Sequence, residues 1–211
     1  MGIGNIRSVV EELTKLPLTV VNSHSHFDHV GDNWRFREVR LLDCPREIER
    51  LRQGFRLSEG DANLSPAAFH YPGKLWFDPA DLQVRPCRVK PVREGDCFEL
   101  GGRRLKVIAS PGHSEDGLVL ADEENRLLFT GDTVYPGPLY AHRADSGPDR
   151  YRDTILRLAA MFSDYTLCCS HNAPLWEGGA LAEVGTAFEK VVKEKEKRVK
   201  EYRFQGFSII A

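Results

Sequence analysis

The sequence lacks the features of membrane and secreted proteins. No apolar run approaches the roughly 20 residues that a membrane-spanning helix needs, and no basic segment followed by an apolar stretch marks a signal peptide. The five cysteines are odd in number and form no C-x-x-C pair, which is typical of reduced, mostly buried thiols. We therefore expect a cytoplasmic protein that does not bind membranes.

The sequence also lacks an excess of charge of either sign. It has 29 Lys and Arg residues against 31 Asp and Glu residues, a formal net charge of −2. Because contact with a phosphate backbone requires clustered Lys and Arg, we expect no nucleic-acid partner. The 211 residues, 41% of them hydrophobic, are enough for one domain with a substantial core. With no repeat or linker to divide them, a single domain over residues 1–211 is predicted.

The sequence is rich in one respect, the stretch Val20–Gly31, which reads V-V-N-S-H-S-H-F-D-H-V-G. It places His24, His26, Asp28 and His29 within six positions, directly after a short apolar run. Imidazole and carboxylate are ligands that zinc and related metals prefer. Because residues two apart project to the same side of an extended chain, His24 and His26 are predicted to bind one metal. Asp28 and His29 then point elsewhere and are available for a second.

Local patterns predict secondary structure on both sides of this stretch. Apolar residues at helical spacing, with residues that begin or end helices, predict helices over Gly2–Leu13, from Pro45, from Pro148 to Phe162 and over Ala180–Arg203. Short apolar runs bounded by turn residues predict strands over Leu18–Val21, Val39–Leu42, Cys97–Leu100, Arg104–Ala109, Leu118–Ala121, Arg126–Thr130 and Thr166–Cys169, with Phe207–Ile210 as an edge strand. The strands between Cys97 and Thr130 are predicted to form two hairpins.

Two segments lack such periodicity. Gly54–Pro86 alternates turn-forming residues with aromatics, so a lid or pocket wall and a surface loop pinned by its aromatic side chains are equally compatible with it. His70 in this segment is expected to be a lid or surface residue rather than a metal ligand. Val134–Pro148 is rich in Pro and Gly and is predicted to be a loop.

Four predicted strands end at residues that can bind a metal. The histidine stretch follows the first of them, and His113, Asp132 and His171 follow three later strands. Loops at the carboxyl ends of strands converge in layered α/β folds, so these residues are predicted to form one site. If Asp132 bridges two metals, the seven residues divide evenly.

Two ligand sets follow from that division. The first metal would be bound by His24, His26, His113 and Asp132. The second would be bound by Asp28, His29, His171 and Asp132. Positions left open for water on each metal are typical of catalytic rather than structural sites.

The motifs H-S-H-F-D-H, S-P-G-H, T-G-D and S-H-N, in this order and spacing, resemble those of the metallo-β-lactamase superfamily. The resemblance covers nearly the whole chain. It implies an α/β fold of the layered αββα type, in which two mixed β-sheets lie face to face and helices flank them. It also implies a dinuclear site, most often two Zn2+ per chain, with iron or manganese in some members. The predicted division of ligands resembles the glyoxalase-II-like arrangement.

Two features depart from the pattern of this superfamily. Its members carry strands before the histidine motif that end in a D-T-G-like sequence, whereas this sequence begins at Met1-Gly2-Ile3-Gly4, similar to the residues that follow such a sequence. The resemblance therefore implies a domain truncated at its N-terminus. The missing strands would expose a sheet edge, so a homodimer that covers the gap is expected. The C-terminal helical domain of glyoxalase II is also absent, which disfavours a glutathione thioester.

The resemblance implies a metallo-hydrolase in which a hydroxide held by both metals attacks a carbonyl carbon or phosphorus. Asp28 is expected to orient that nucleophile, with Asp132 holding both metals. Tyr135, Tyr140 and His142 follow Asp132 closely and are candidates for substrate contact, although a packing role explains each equally well. The aromatic residues of Gly54–Pro86 favour a small-molecule substrate with an apolar portion. A thioester, lactone or other carboxylic ester is expected, an acyl-CoA thioester included.

Several alternatives stay open. One is an oxidoreductase similar to sulfur dioxygenases, with a single iron. A flavodiiron-like enzyme is disfavoured because those proteins have Glu where this sequence has His26. A true β-lactamase is disfavoured because it generally lacks a residue equivalent to Asp132, and a phosphodiesterase or nuclease is disfavoured by the near-neutral charge. The last alternative is a truncated protein that binds metal without turnover.

Overall fold

The computed structural model describes residues 2–57, 82–194 and 198–211. The chain forms two compact units, Met1–Pro91 and Val92–Ala211, called here the first and second unit. Of the ring-bearing residues on which the lid prediction depends, Phe55 is described, whereas Phe69, His70, Tyr71, Trp76 and Phe77 lie outside the described residues.

The first unit combines short strands with helices on either side of the histidine stretch. In chain order its elements are α1 (Ile6–Leu13), β1 (Val20–Val21), α2 (Phe27–Val30), a 3-10 turn (Asn33–Arg35), β2 (Val39–Leu42), α3 (Pro45–Gln53), β3 (Phe55–Arg56), β4 (Gln83–Val84) and β5 (Val89–Val92). The helix predicted over Gly2–Leu13 is present but begins at Ile6. The helix from Pro45 and the strand Val39–Leu42 are confirmed. The predicted strand Leu18–Val21 is shorter than expected and begins at Val20.

The strands of the first unit position the histidine stretch. β1 pairs in parallel with β2, and β5 lies on the other side of β2. Pro91 falls in β5, which ends this three-stranded sheet, and proline is tolerated there because an edge strand needs no donor on its outer side. β3 and β4 form an antiparallel pair, so the ends of Gly54–Pro86 are ordered strands, contrary to the prediction of lost periodicity. Val39 and Leu41 of β2 are fully buried in the core of this unit.

The second unit is larger and supplies the three later metal-ligand candidates. In chain order its elements are β6 (Cys97–Glu99), β7 (Arg104–Ala109), β8 (Leu118–Asp122), β9 (Leu127–Gly131), β10 (Pro138–Tyr140), α4 (Pro148–Phe162), β11 (Thr166–Cys169), β12 (Leu175–Glu177), α5 (Ala180–Glu194), β13 (Glu201–Arg203) and β14 (Ser208–Ile210). Both predicted hairpins, the helix from Pro148 to Phe162 and the strand Thr166–Cys169 are confirmed.

A six-stranded mixed sheet organises this unit, in the order β12-β11-β9-β8-β7-β6. Successive hairpins make β6 to β9 antiparallel, whereas the connection through α4 returns the chain to β9 in the parallel sense. The β9–β11 register shifts once, since Cys168 pairs with Phe129 but Cys169 pairs with Gly131. Thr130 is therefore an additional residue on β9.

A second sheet, in the order β10-β14-β13, corrects three predictions. Val134–Pro148 is not wholly a loop, because Pro138–Tyr140 pairs in parallel with β14. The predicted helix Ala180–Arg203 is too long, because α5 ends at Glu194 and Glu201–Arg203 is a strand. The predicted edge strand at Phe207–Ile210 is central, with partners on both sides.

The core of the second unit lies where α4 packs on α5. Tyr151, Ile155 and Leu158 on α4 are fully buried, and the Tyr151 ring lies 4.4 Å from that of Phe188. Gly185 permits the close approach, since a Cβ at that position would lie 2.8 Å from Leu156. The core thereby fixes Tyr151, which contacts the loops of the candidate site.

No helix within the described ranges is both long enough and apolar enough to cross a membrane.

The cysteines are not mostly buried as predicted, because Cys97 is exposed and the other four are half-buried. Burial nevertheless raises the pKa of the Cys87, Cys168 and Cys169 thiols, so these side chains stay protonated and weakly nucleophilic at neutral pH.

Candidate metal centre

The first unit brings four predicted ligands together on the loop that follows β1 and on α2. The ring of His24 lies 4.5 Å from that of His26 and 4.3 Å from that of His29, centroid to centroid. His29 Nε2 lies 3.3 Å from Asp28 Oδ2. The rings of His24 and His26 are therefore adjacent, and the segment that carries them is a loop rather than a strand; their binding of one metal stays a prediction.

Hydrogen bonds hold this loop in place from both ends. The Asn22 amide N–H donates to the Arg40 carbonyl at 2.9 Å, and the side chains of Asn22 and Asn33 bond each other at 2.9 and 3.3 Å. Ser23 Oγ contacts His24 Nδ1 at 3.1 Å. A partner on one ring nitrogen is the usual arrangement for a histidine whose other nitrogen binds a metal.

Ser25 anchors the middle of the histidine motif. Its hydroxyl donates to Glu47 Oε2 of α3 at 2.9 Å, and both residues are buried. Arg50 also donates to Glu47 Oε2, at 3.1 Å, so the buried carboxylate is both paired and hydrogen-bonded. Because Ser25 stands between His24 and His26, this contact fixes the backbone that presents both imidazoles.

The second unit brings together the other three predicted ligands around one carboxylate oxygen. Asp132 Oδ2 lies 3.1 Å from His171 Nε2 and 3.7 Å from His113 Nε2. Asp132 and His113 are buried, and His171 is half-buried. One carboxylate oxygen therefore faces two imidazoles that come from separate loops.

The six-stranded sheet explains why these residues meet. Asp132 follows β9 and His171 follows β11, and because these neighbouring strands are parallel, both residues leave the sheet at the same edge. His113 follows β7 after the turn Ser110–Gly112. The Ser110 hydroxyl lies 2.8 Å from that of Thr133, which joins the His113 loop to the Asp132 loop.

Tyr151 contacts two of the loops that carry candidate metal ligands, those of Asp132 and His113. Its hydroxyl donates to the carbonyls of Asp132 and Thr133 at 3.0 and 2.8 Å. Burial raises the pKa of Tyr151 well above its ordinary value, with smaller contributions from Tyr135 and Asp132, so the hydroxyl remains a donor. A Cβ on Gly112 would collide with Tyr151 Cα, so the loop leading to His113 also rests directly on this residue.

The three predicted substrate residues differ in placement. Tyr135 is buried, its hydroxyl donates to the Pro138 carbonyl at 2.5 Å, and its ring lies edge-on to His171 with centroids 5.2 Å apart. Tyr140 and His142 are exposed and their ring centroids lie 5.9 Å from each other, and His142 Nδ1 is 3.4 Å from the Ile210 carbonyl. Substrate contact by these three residues stays a prediction; packing against His171 is the observed role of Tyr135.

Sequence reasoning missed the residues that hold the ligands. Glu47 was covered only by the helix predicted from Pro45, and Tyr151 only by helical spacing toward a core. Neither residue has a motif of its own, because each acts through a contact with a distant loop. The sequence offered one signal for Glu47, a carboxylate in the first turn of a helix whose apolar residues Ile48 and Leu51 are buried. Acidic residues are common in the first turn of helices that have no such role.

Comparison with known proteins identifies the family. A family model described as the metallo-beta-lactamase superfamily matches residues 15–171. The human acyl-coenzyme A thioesterase MBLAC2 is 32% identical over 141 residues, which cover 65% of this chain and 49% of that protein. Its chicken counterpart is 35% identical over 129 residues, covering 58% of this chain and 44% of that protein. The matched region thus spans about half the length of these curated relatives.

Solved structures share the fold at low sequence identity. A metallo-beta-lactamase family protein from Thermus thermophilus superposes with a TM-score of 0.63 at 19% identity, covering 90% of this chain and 67% of that one. The predicted α/β fold class with mixed sheets and flanking helices is confirmed. The family match spans every one of the seven predicted ligands, from His24 to His171. The chain belongs to the metallo-beta-lactamase superfamily.

Proposed function

We propose that this protein is a metal-dependent hydrolase of acyl-CoA thioesters. The observation that carries the proposal is the position of Asp132 Oδ2 within 3.7 Å of both His113 Nε2 and His171 Nε2, which suits a carboxylate shared by two metals. The four ligand candidates clustered in the first unit supply the rest of a donor set of the predicted kind.

The chemistry of the donor set fits a divalent metal. Five imidazoles and two carboxylates, without a thiolate, suit zinc, and iron or manganese are also compatible. We propose that one metal is bound by His24, His26, His113 and Asp132, and a second by Asp28, His29, His171 and Asp132. Two zinc ions per chain are the expected occupancy.

When bound, such metals would lower the pKa of coordinated water and so make hydroxide available near neutral pH. The protein's own contribution is to hold the ligands. Glu47, through Ser25, fixes the loop of His24 and His26, and Tyr151 fixes the backbone at Asp132. Asp28, at 3.3 Å from His29, is proposed to accept a hydrogen bond from the attacking water and orient it.

The choice of a thioester depends on the curated relatives. The human and chicken proteins named as acyl-coenzyme A thioesterases are 32% and 35% identical to this chain. The aligned region includes more than half of this chain but slightly less than half of each relative. The thioester substrate is therefore a proposal for this protein. The near-neutral charge favours the same choice over a nuclease.

One experiment separates this proposal from its rivals. The purified protein is analysed for metal content, then assayed against acyl-CoA thioesters, a lactone, a β-lactam, a phosphodiester and a persulfide with an oxygen electrode. Two zinc ions per chain with thioester turnover support the proposal. One iron per chain with oxygen consumption would instead show a sulfur dioxygenase-like enzyme, and metal without turnover would show an inactive metal-binding protein. The expected homodimer and cytoplasmic location stay predictions.

A further inference from the structure

A cavity in the first unit adjoins two of the proposed metal ligands. Its volume is about 500 Å³, within the roughly 300–1,000 Å³ of ligand pockets. Asp28 and His29 form part of its lining, and the segment from Gly2 to Val9 forms another part. A molecule in this cavity would therefore contact α1 and the proposed site together.

The N-terminal segment contacts the residues that directly follow α2, the helix that carries Asp28 and His29. A Cβ on Gly2, whose φ is +74°, would lie 2.7 Å from the Gly31 carbonyl oxygen, so the two backbones are in direct contact. The Ile6 amide donates to Asp32 Oδ2 at 2.8 Å, and Arg7 Nη1 donates to the Arg35 carbonyl at 2.6 Å. Two of these contacts join residues of the cavity lining to each other, Gly2 to Gly31 and Ile6 to Asp32, so the N-terminal segment is held against the rest of the lining.

The exposed face of α1 is apolar toward this cavity. Ile6 and Val9 are 50% and 49% exposed, and both line the cavity together with Ile3. Exposed apolar side chains that gather beside a candidate active site are typical of a surface that an apolar ligand covers. An acyl chain would remove these side chains from water.

The charges of the lining indicate which part of a thioester would enter. Its polar members are Asn5, Asp28, His29 and Asp32, and no Lys or Arg belongs to the described lining. The nearby Arg7 and Arg35 are already paired with Glu11 and Asp32, at 2.7 and 2.9 Å. Phosphate groups require cationic partners, so the nucleotide end of an acyl-CoA does not match this lining. The acyl end does.

We infer that Ile3, Ile6 and Val9 form the acyl-chain pocket of this enzyme and set its preference for chain length. The inference rests on the proposed thioesterase function. Each methylene buried in the pocket is worth about fourfold in kcat/KM, so octanoyl-CoA is expected to be cleaved more efficiently than acetyl-CoA.

The test places a larger side chain in the cavity at Val9, which lies on α1. Val9→Trp is expected to reduce kcat/KM for octanoyl-CoA relative to acetyl-CoA by about tenfold or more, because several methylenes are displaced. Val9→Thr, which keeps the volume but adds a hydroxyl, should reduce the same ratio by a smaller factor. Leu13→Trp is the matched control, since Leu13 lies on the same helix, is 81% exposed and does not line the cavity.

A binding measurement distinguishes failure of this inference from failure of the thioesterase proposal. S-ethyl-CoA and S-octyl-CoA, which cannot be hydrolysed, are titrated into the metal-loaded protein by calorimetry. A preference for S-octyl-CoA that Val9→Trp removes and Leu13→Trp retains supports the pocket even if no thioester is turned over. Equal affinity for both thioethers, or equal effects of the two tryptophan variants, overturns it.

Discussion

The hydroxyl of Ser25 donates a 2.9 Å hydrogen bond to the buried carboxylate of Glu47. This contact links the centre of the histidine motif to α3, which lies 22 residues further along the chain. Outer partners of this kind orient metal-binding side chains and typically change metal affinity by about 10–100-fold when removed. Glu47 is therefore a positioning residue of the proposed site.

Replacing Glu47 tests this role. Glu47→Gln removes the charge that both Ser25 and Arg50 contact, so affinity for zinc is expected to fall by about 10–100-fold. Competition with a coloured chelator measures the affinity. Glu49→Gln is the control, since Glu49 lies on the same helix at the surface, and it should leave zinc affinity unchanged. An equal loss in both variants would indicate a general effect on α3.

Asp132 is expected to be the residue on which both metals depend. Asp132→Asn replaces the shared carboxylate with an amide, which is a poor bridging ligand, so metal content should fall from two ions per chain to one or none. Thioester turnover should fall below detection with it. Asp153→Asn, at an exposed position of α4 paired with Arg152, is the matched control and should retain both ions. Full loading of the Asp132→Asn protein would refute the ligand assignment.

The Tyr151 hydroxyl should contribute measurably to stability. Tyr151→Phe leaves the carbonyls of Asp132 and Thr133 without their buried donor, which is expected to lower the free energy of unfolding by about 1–3 kcal/mol. Urea unfolding followed by circular dichroism measures the change. Tyr165→Phe provides the comparison, because that half-buried ring packs on Phe162 with centroids 4.9 Å apart. A larger effect there than at Tyr151 would contradict the prediction.

Acid should weaken the turn between β8 and β9. Burial opposes the ionisation of Asp122, but hydrogen bonds from Asn125 and Arg103 outweigh it and lower the pKa of this carboxyl below its ordinary value. The resulting stability is present above the unfolded pKa and is lost as pH falls through the lower folded value. Asp122→Asn should therefore be less stable than the native protein at neutral pH, and the difference should shrink below about pH 4. Urea unfolding across this range would contradict the prediction if the difference stayed constant.

The sequence predicted best those elements that carry their own pattern. β7, β8, β9 and β11 differ from their predicted bounds by at most one residue at either end, because apolar runs between turn residues are a local signal. Pro138–Tyr140 and Leu175–Glu177 escaped prediction, since strands of three residues are defined by their neighbours in the sheet. Tyr202 was assigned to a helix because its spacing continues that of α5, although it pairs with Ile209.

The candidate site divides in the same way. Residues such as His24, His113 and Asp132 were found because each follows a strand within a recognisable short motif. Glu47 and Tyr151 were not found, because their importance arises from contacts between segments far apart in the sequence. A pattern within one segment predicts what that segment presents, and only the fold shows what holds it there.

The register shift between β9 and β11 constrains how this protein could be recombined with its relatives. Thr130 is the additional residue on β9, and its hydroxyl donates to the Cys168 and Val134 carbonyls at 3.2 and 2.8 Å. Side chains alternate between the two faces of a strand, so a chimera whose borrowed β9 lacked this one residue would turn Asp132 to the opposite face. We therefore expect that many residues of the loop after β9 could be replaced by those of a relative, whereas deletion of the residue at position 130 would displace Asp132.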